Sequence, residues 1–513
     1  GRVNTDILRQ GFATQSALRL YKDEVESGIA MGAGAGNATG TGGESGFSVT
    51  RTSDRAYLIF NPLAHPRTDV VRVKLWDTAL DPKLLVVTSE GMEPQPVQVT
   101  GSGSYAGHDY LEVAFPIEVP ALGYRAVCVS DRRAEVGLLP IPEGPSLWDG
   151  IGGALRTREP SDAVLENEFI MARIDAASGS IVSLIDKRTK REFVKPGEHL
   201  GALQFCIEAY EGMSAWVIGQ FVRREDILQG GKLTAIDRGP HVQSYRWQRK
   251  IGETSLSLDI SLARGVPRID FELHVDWREA GSRDGGIPHL KVRFPMDIKH
   301  GRQGPLARYE IPFGTIQRDL FAGEEVPAQR WVDLSGEDGV GITLVNTSKY
   351  GFNVEGTSLN MTLLRASIDP DPLPDLGDHV IRYALVPHAA GWSEGDGMQA
   401  GEDMNVPLVV TSVDFHAGDL PSVASLVSVT PQNVRLAALK RAEDGQGIVL
   451  RLVEVEGKAI EAQVAVAAGL LGDAGAAEVD TLERPVNGNC VRLEGETLTV
   501  CVPAFGVTTV KVG

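Results

Sequence analysis

Between Leu363 and Trp392 the chain reads LLRASIDPDPLPDLGDHVIRYALVPHAAGW. Asp369, Asp371, Asp375 and Asp378 stand close together, Arg365 precedes them, and His379 and His388 follow. Paired carboxylates cleave glycosidic bonds when they face each other about 5 to 9.5 Å apart across a sugar. Pro370, Pro372 and Pro374 force an extended path here, which lets Asp371 and Asp375 face a shared space while Asp369 turns away. The same composition makes solvated turns. A preformed rim that hydrogen-bonds sugar hydroxyls suits the stretch better than an autonomous acid/base pair, because proline removes part of the ordering cost. His379 and His388 flank the strand-like VIRYALV, and hydrogen bonds to strand ends or carboxylates suit them better than metal ligation.

Other segments offer surfaces for a sugar. GMSAWVIGQF carries Trp216, and SKYGFNVEG places Lys349 and Tyr350 before a glycine turn. Aromatic rings stack on the apolar C–H faces of pyranoses, although a tyrosine at a strand end is as often core. Trp331, in EEVPAQRWVD, reads as packing. Zinc signatures such as HExxH, His-x-His and Cys-x-x-Cys are absent, as are nucleophile-elbow, kinase and dinucleotide fingerprints. The glycines between Met31 and Ser45 lack the Lys-Ser/Thr of a phosphate loop. No metal ligand set is expected in this chain.

The elements that must position these residues are strands. From Arg55 onward the apolar period is two, in short runs such as RAYLIFNP, DFELHVDW and LKVRFPMDI separated by Pro, Gly and Asp turns, a pattern of β-sandwiches. At 513 residues the chain is too long for one core. The pattern divides it into a helix at 1–30, a Gly-rich linker at 31–50, a small β-sandwich at 51–150 with its break near 141–150, a large sandwich at 151–425 and a terminal sandwich at 426–513. A formal charge of −18 and the lack of any Lys/Arg block exclude a nucleic-acid binder. There is no apolar run long enough to span a membrane, and GRVNTDILRQ lacks the apolar core of a signal peptide, so the chain reads as cytoplasmic. Four cysteines make no disulfide framework. Cys490 and Cys501 flank a hairpin and could face each other, but are expected as reduced, buried thiols.

Several segments, in order, are similar to the C-terminal portion of glycoside hydrolase family 38 α-mannosidases. They are IFNPLAHPRTDVVRV, LENEFIMARIDAASGSIVSLIDKRTKREFV, YEIPFGTIQR, NTSKYGFNVEG, LLR…PDP, YALVPH and VPAFGVTTVKV. The resemblance covers nearly the whole chain. It implies a galactose-mutarotase-like supersandwich flanked by smaller β-sandwich domains, with the N-terminal helix left from a three-helix bundle. It further implies a retaining α-mannosidase whose barrel domain holds a zinc ion that grips the hydroxyls of a terminal α-mannoside while a nucleophilic Asp attacks the anomeric carbon.

No residue here matches that nucleophile, the acid or the zinc ligands, so no catalytic residue is expected in this chain and it is expected to be inactive alone. The implied partners are α-mannosyl glycans and the barrel, in the same or a separate chain, with a homo-oligomer possible. The substrate-binding candidates are Trp216, Tyr350, Arg365, Asp371, Asp375 and His379. Ser214 stands where relatives frequently carry Asp. A competing reading is a free-standing carbohydrate-binding or scaffold protein on the same sandwich. A mutarotase-like epimerase ranks last, because it needs His and Glu in one cleft and the sequence offers only His274 near Glu272.

Overall fold

The computed structural model describes residues 54–131 and 163–513, apart from 303, 320–324, 390, 392–396, 468–474 and 487–489. The helix expected at 1–30, the linker at 31–50 and the break at 141–150 lie outside the described residues. Among the described residues the regular elements are all strands apart from one helix, Gly397–Asn405, as the two-residue period predicts. Contacts divide the chain into two units, residues 144–405 and residues 1–143 with 406–513.

The first of these units holds one large core between sheets of nine, six and four strands. Thr254–Ala263 and Ile269–Trp277 lie in the middle of the nine-stranded sheet. Leu256, Leu258, Ile260, Phe271, Leu273 and Val275 face the core, while alternate residues such as Asp259, Glu272 and His274 face away. Phe271 stacks on Tyr383 with ring centroids 4.8 Å apart. The six-stranded sheet contains Ala202–Glu208, Ile287–Pro295 and Ser358–Arg365 as consecutive antiparallel neighbours.

The other unit contains two smaller cores. One gathers Tyr57, Val73, Phe115 and Val127 between a six-stranded and a three-stranded sheet. The other gathers Val427, Leu450, Val464 and Val500 between two four-stranded sheets. The sequence pattern puts residues 409–425 at the end of the large sandwich. Instead Val409–Val413 pairs with Arg55–Asn61, and Val423–Ser425 pairs with Gly123–Ser130. Short edge strands carry too little pattern to announce a partner 300 residues away.

The cysteine expectation also needs correction. Cys490 and Cys501 are joined as a disulfide, and neither is buried. Cys490, just ahead of the strand Val491–Glu494, stands across from Cys501 with Cα atoms 5.6 Å apart, a separation typical of bonded pairs. Cys128 and Cys206 form no disulfide and are buried.

Candidate functional site

In the six-stranded sheet, Leu203, Leu290, Val292, Phe294, Leu359 and Met361 enter the core. Alternation then puts Gln204, Cys206, Glu208, His289, Lys291 and Arg293 on the opposite face. Regular alternation would put Leu364 there too. A register shift between Leu290 and Lys291 intervenes, so that Lys291 faces Thr362 while His289 faces Arg365. The extra residue lets both Leu363 and Leu364 bury and turns Arg365 to the polar face.

Arg365 meets Glu208, which is 1% exposed. Its Nε and Nη2 donate to the two Glu208 oxygens at 2.9 and 2.8 Å, a bidentate pair. His289, with no exposed surface, bonds the same carboxylate through Nε2 at 2.6 Å, and the Gly219 amide donates to it at 2.7 Å. Burial pushes the Glu208 carboxyl up, but the bonds from His289, Arg365 and Gly219 outweigh it and hold it at about 2. Burial lowers the His289 imidazole, and Arg365 adds to that against the pull of Glu208. The arrangement is therefore an ionised Glu208, a cationic Arg365 and a neutral imidazole donating from Nε2.

The rest of the guanidinium reaches a loop. Nη1 donates to the Ser214 carbonyl and Nη2 to the Val217 carbonyl at 2.7 Å. These bonds fix both sides of Trp216, whose ring is left 71% exposed. The Asp-Pro segment locks onto the same loop. Ser214 Oγ accepts the amides of Ile368 and Asp369 at 2.9 and 3.1 Å, and the Ala215 amide donates to the Asp369 carbonyl at 2.8 Å. The Tyr210 hydroxyl donates to the Asp369 carboxylate. Gly219 has no room for a side chain, since a Cβ there would stand 2.5 Å from the Ala209 carbonyl oxygen.

Arg365, Asp375, His379 and the Trp216 loop are thus brought together. The Arg365 amide donates to the Asp375 carboxylate at 2.9 Å, and His379 Nε2 donates to the Asp375 carbonyl at 2.7 Å. Asp371 is exposed and accepts the Leu373 amide, closing its own turn. Tyr350 is 57% exposed on a separate turn, adjacent to Lys349, which burial lowers while Asp375 pulls it upward. The Arg365 side chain is committed to Glu208 and the loop. In this arrangement it acts as a positioning group for the loop.

Sequence reasoning missed Glu208, His289, Tyr210 and the part played by Asp369. The available signal was the alternation of ALQFCIE and PHLKVRFP, which puts charges on one face of strands otherwise filled with core residues. The His274–Glu272 pair forms at 2.7 Å on an exposed face, where Arg382 shares the carboxylate. His388 bonds Asp333, so the two histidines that flank VIRYALV have separate hydrogen-bond partners. Around the Trp216 loop no described group of His, Cys, Asp and Glu has ligating geometry. These residues do not fit the zinc site that the family implies, and no step through zinc is assigned to them.

The profile described as "Glycosyl hydrolases family 38 C-terminal domain" matches residues 165–373, and that of the "Glycosyl hydrolases family 38 C-terminal beta sandwich domain" matches residues 433–510. Together they cover more than half of the chain, and the first contains the clamp and its loop. The chain belongs to glycoside hydrolase family 38, as the portion that carries its C-terminal sandwich domains. Among relatives, mouse alpha-mannosidase 2C1 is 32% identical over 311 residues, covering 58% of this chain and 29% of that protein. Human alpha-mannosidase 2C1 is 30% identical over 358 residues, covering 67% and 33%. The chain therefore spans about a third of the length of these relatives. A solved structure of a family 38 protein from Enterococcus faecalis superposes at a TM-score of 0.69 with 15% identity, over 90% of this chain and 58% of that one.

Proposed function

We propose that this chain is the non-catalytic C-terminal portion of a cytoplasmic retaining α-mannosidase and completes the wall of its substrate pocket. The observation that carries the reading is the clamped loop. A buried Glu208–Arg365 pair holds Trp216 outward, beside a segment stiffened by three prolines. A rim fixed before the sugar arrives loses little entropy on binding. Trp216 offers a stacking face, Asp371, Asp375 and His379 offer hydrogen-bonding groups on the Asp-Pro segment and the strand after it, and Tyr350 offers a further hydroxyl on its own turn. Cleavage itself belongs to a barrel with its zinc and nucleophile, in the same or a separate chain, acting on α-mannosyl glycans.

The test has two arms. The chain alone should hydrolyse no aryl α-mannoside above a buffer blank, with or without added zinc. Joined to its barrel, the enzyme carrying Trp216→Ala should show a raised KM with a smaller change in kcat. Unchanged kinetics in that variant would remove Trp216 from the rim. The competing reading, a free-standing carbohydrate-binding protein, makes the opposite prediction for the chain alone: micromolar binding of α-mannosides by calorimetry, lost in Trp216→Ala.

A further inference from the structure

A second cluster lies on the terminal sandwich and has no part in the rim. Ile460–Val466, Thr497–Val502 and Val491–Glu494 are adjacent antiparallel strands. Glu461 faces Cys501 directly, and Cys501 faces Cys490, whose carbonyl accepts the Cys501 amide at 3.1 Å. Directly opposed residues share one face of a sheet, so the three side chains form a row. A carboxylate oxygen and both sulfurs lie within 4.8 Å of one another, and only Cys501 is partly buried. Among the described residues no other group of three or more His, Cys, Asp and Glu meets this geometry. In the next row on the same face, Arg492 donates to Glu461 Oε1 at 3.1 Å.

We propose that Cys490, Cys501 and Glu461 form a redox-gated site for a thiophilic divalent cation. In the oxidised state the sulfurs bond each other and the site is closed. Reduction breaks the S–S bond with two electrons and places a proton on each sulfur. With a trialkylphosphine as reductant, one water supplies the two protons and its oxygen ends as phosphine oxide. A divalent cation then displaces both thiol protons and takes two thiolates, with the Glu461 carboxylate as third ligand. Thiolate sulfur favours soft and borderline metals over Mg²⁺ or Ca²⁺. The ladder holds the Cα atoms of the two cysteines 5.6 Å apart, so the two states interchange by side-chain rotation. Two thiolates, a carboxylate, Arg492 and a divalent cation sum to zero charge. In a reducing compartment the open, dithiol state prevails.

Cadmium titration of the phosphine-reduced chain tests this, read by thiolate-to-metal absorption in the ultraviolet and by metal analysis after desalting. The other two cysteines are silent, since Cys128 and Cys206 are buried and burial pushes the Cys206 thiol up to about 11. The expected result is one Cd²⁺ per chain when reduced, none after reoxidation, and none in Cys490→Ser/Cys501→Ser. Glu461→Gln should weaken binding by about tenfold, the scale of losing one supporting group at a metal site. Both variants sit on a surface row and should melt like the reduced parent chain. Undiminished Cd²⁺ absorption in the double serine variant would overturn the proposal, as would equal uptake by the oxidised chain. So would a reduced chain that reacts with a thiol reagent at both cysteines yet shows no metal absorption.

Discussion

Two histidine–carboxylate pairs lie buried in the large sandwich, with nearly the same geometry and opposite electrostatics. His289 meets Glu208 at 2.6 Å and His388 meets Asp333 at 2.7 Å, and all four residues are at most 3% exposed. The His289 imidazole is held below its ordinary value and the His388 imidazole above it. Burial lowers both. What separates them is the company of the carboxylate. Glu208 already binds the Arg365 guanidinium, so a second cation beside it is disfavoured. Asp333 accepts the hydroxyls of Ser335 and Thr343 besides bonding His388, with Arg308 within electrostatic reach, and a bond to the Gly339 backbone favours the charged ring further. The charged ring is favoured at His388 in one pair, and the positive charge is carried by Arg365 in the other. Arg365 is long enough to reach out of the sheet to the Trp216 loop, which makes its pair an anchor for a surface feature. The other pair stays within the sandwich.

Removing the anion from each pair should sharpen the contrast most. Glu208→Ala leaves the Arg365 guanidinium buried without its partner, a loss of about 3–5 kcal/mol for a broken buried ion pair. The Trp216 loop should loosen with it. The measurement is a urea midpoint together with acrylamide quenching of Trp216, assigned by comparison with Trp216→Phe. Asp333→Ala should cost less, roughly 1–3 kcal/mol, because the His388 ring, unlike a guanidinium, can release its proton and leaves only hydrogen-bonding groups unsatisfied, and it should leave Trp216 quenching unchanged. If both variants altered the loop equally, the division into anchor and internal brace would fail.

The pH dependence should carry opposite signs. His388 holds its proton more tightly folded than unfolded, so its stabilisation is complete below the ordinary value of 6.5 and is lost as pH rises through the raised one. For His289 the folded value is lowered, so the unfolded chain takes up the proton first. Stability from that site falls as pH drops below 6.5 toward the lowered value. Glu208 adds a further loss as pH falls from 4.5 to about 2. Urea midpoints measured against pH should therefore decline on both sides of a maximum. His388→Gln should flatten the alkaline limb and His289→Gln the first part of the acid limb. A variant that flattens the other limb instead would reverse the assignment of charge.

Much of this architecture is legible in the sequence, and the anchor is the part that is not. Alternation in DFELHVDW and LKVRFPMDI gives the strands and their core faces, because burial on one side writes a period of two. Proline spacing gives the stiff path near Asp371, and the exposed Trp216 is found from its type. Glu208 escapes because its partners, His289 and Arg365, lie 81 and 157 residues away. Strand pairing supplies that proximity, and no local pattern encodes it. Arg365 is found as a residue, but its bonds to Glu208 and the loop are not, since a one-residue shift in the ladder decides which face it takes. Cys490 and Cys501 are read as facing each other, but their state depends on exposure that a hairpin pattern does not reveal.

The smallest expected effect separates the rim from its support. Asp371 lies beyond the clamp on the exposed part of the Asp-Pro segment, and its one recorded bond is to the Leu373 amide two residues on. Asparagine keeps an oxygen for that bond while removing the charge. Asp371→Asn should therefore leave the urea midpoint and Trp216 quenching within error of the parent. If Asp371 meets a sugar hydroxyl in the assembled enzyme, the loss of a charged acceptor should lower kcat/KM by roughly tenfold, since a hydrogen bond to a charged group contributes about 1.5–3 kcal/mol. Unchanged kinetics would leave Asp371 as a turn former and narrow the rim to Trp216, Asp375 and His379. A fall in stability comparable to that of Glu208→Ala would contradict the comparison more deeply, because it would mean that the exposed turn, rather than the buried pair behind it, holds the loop in place.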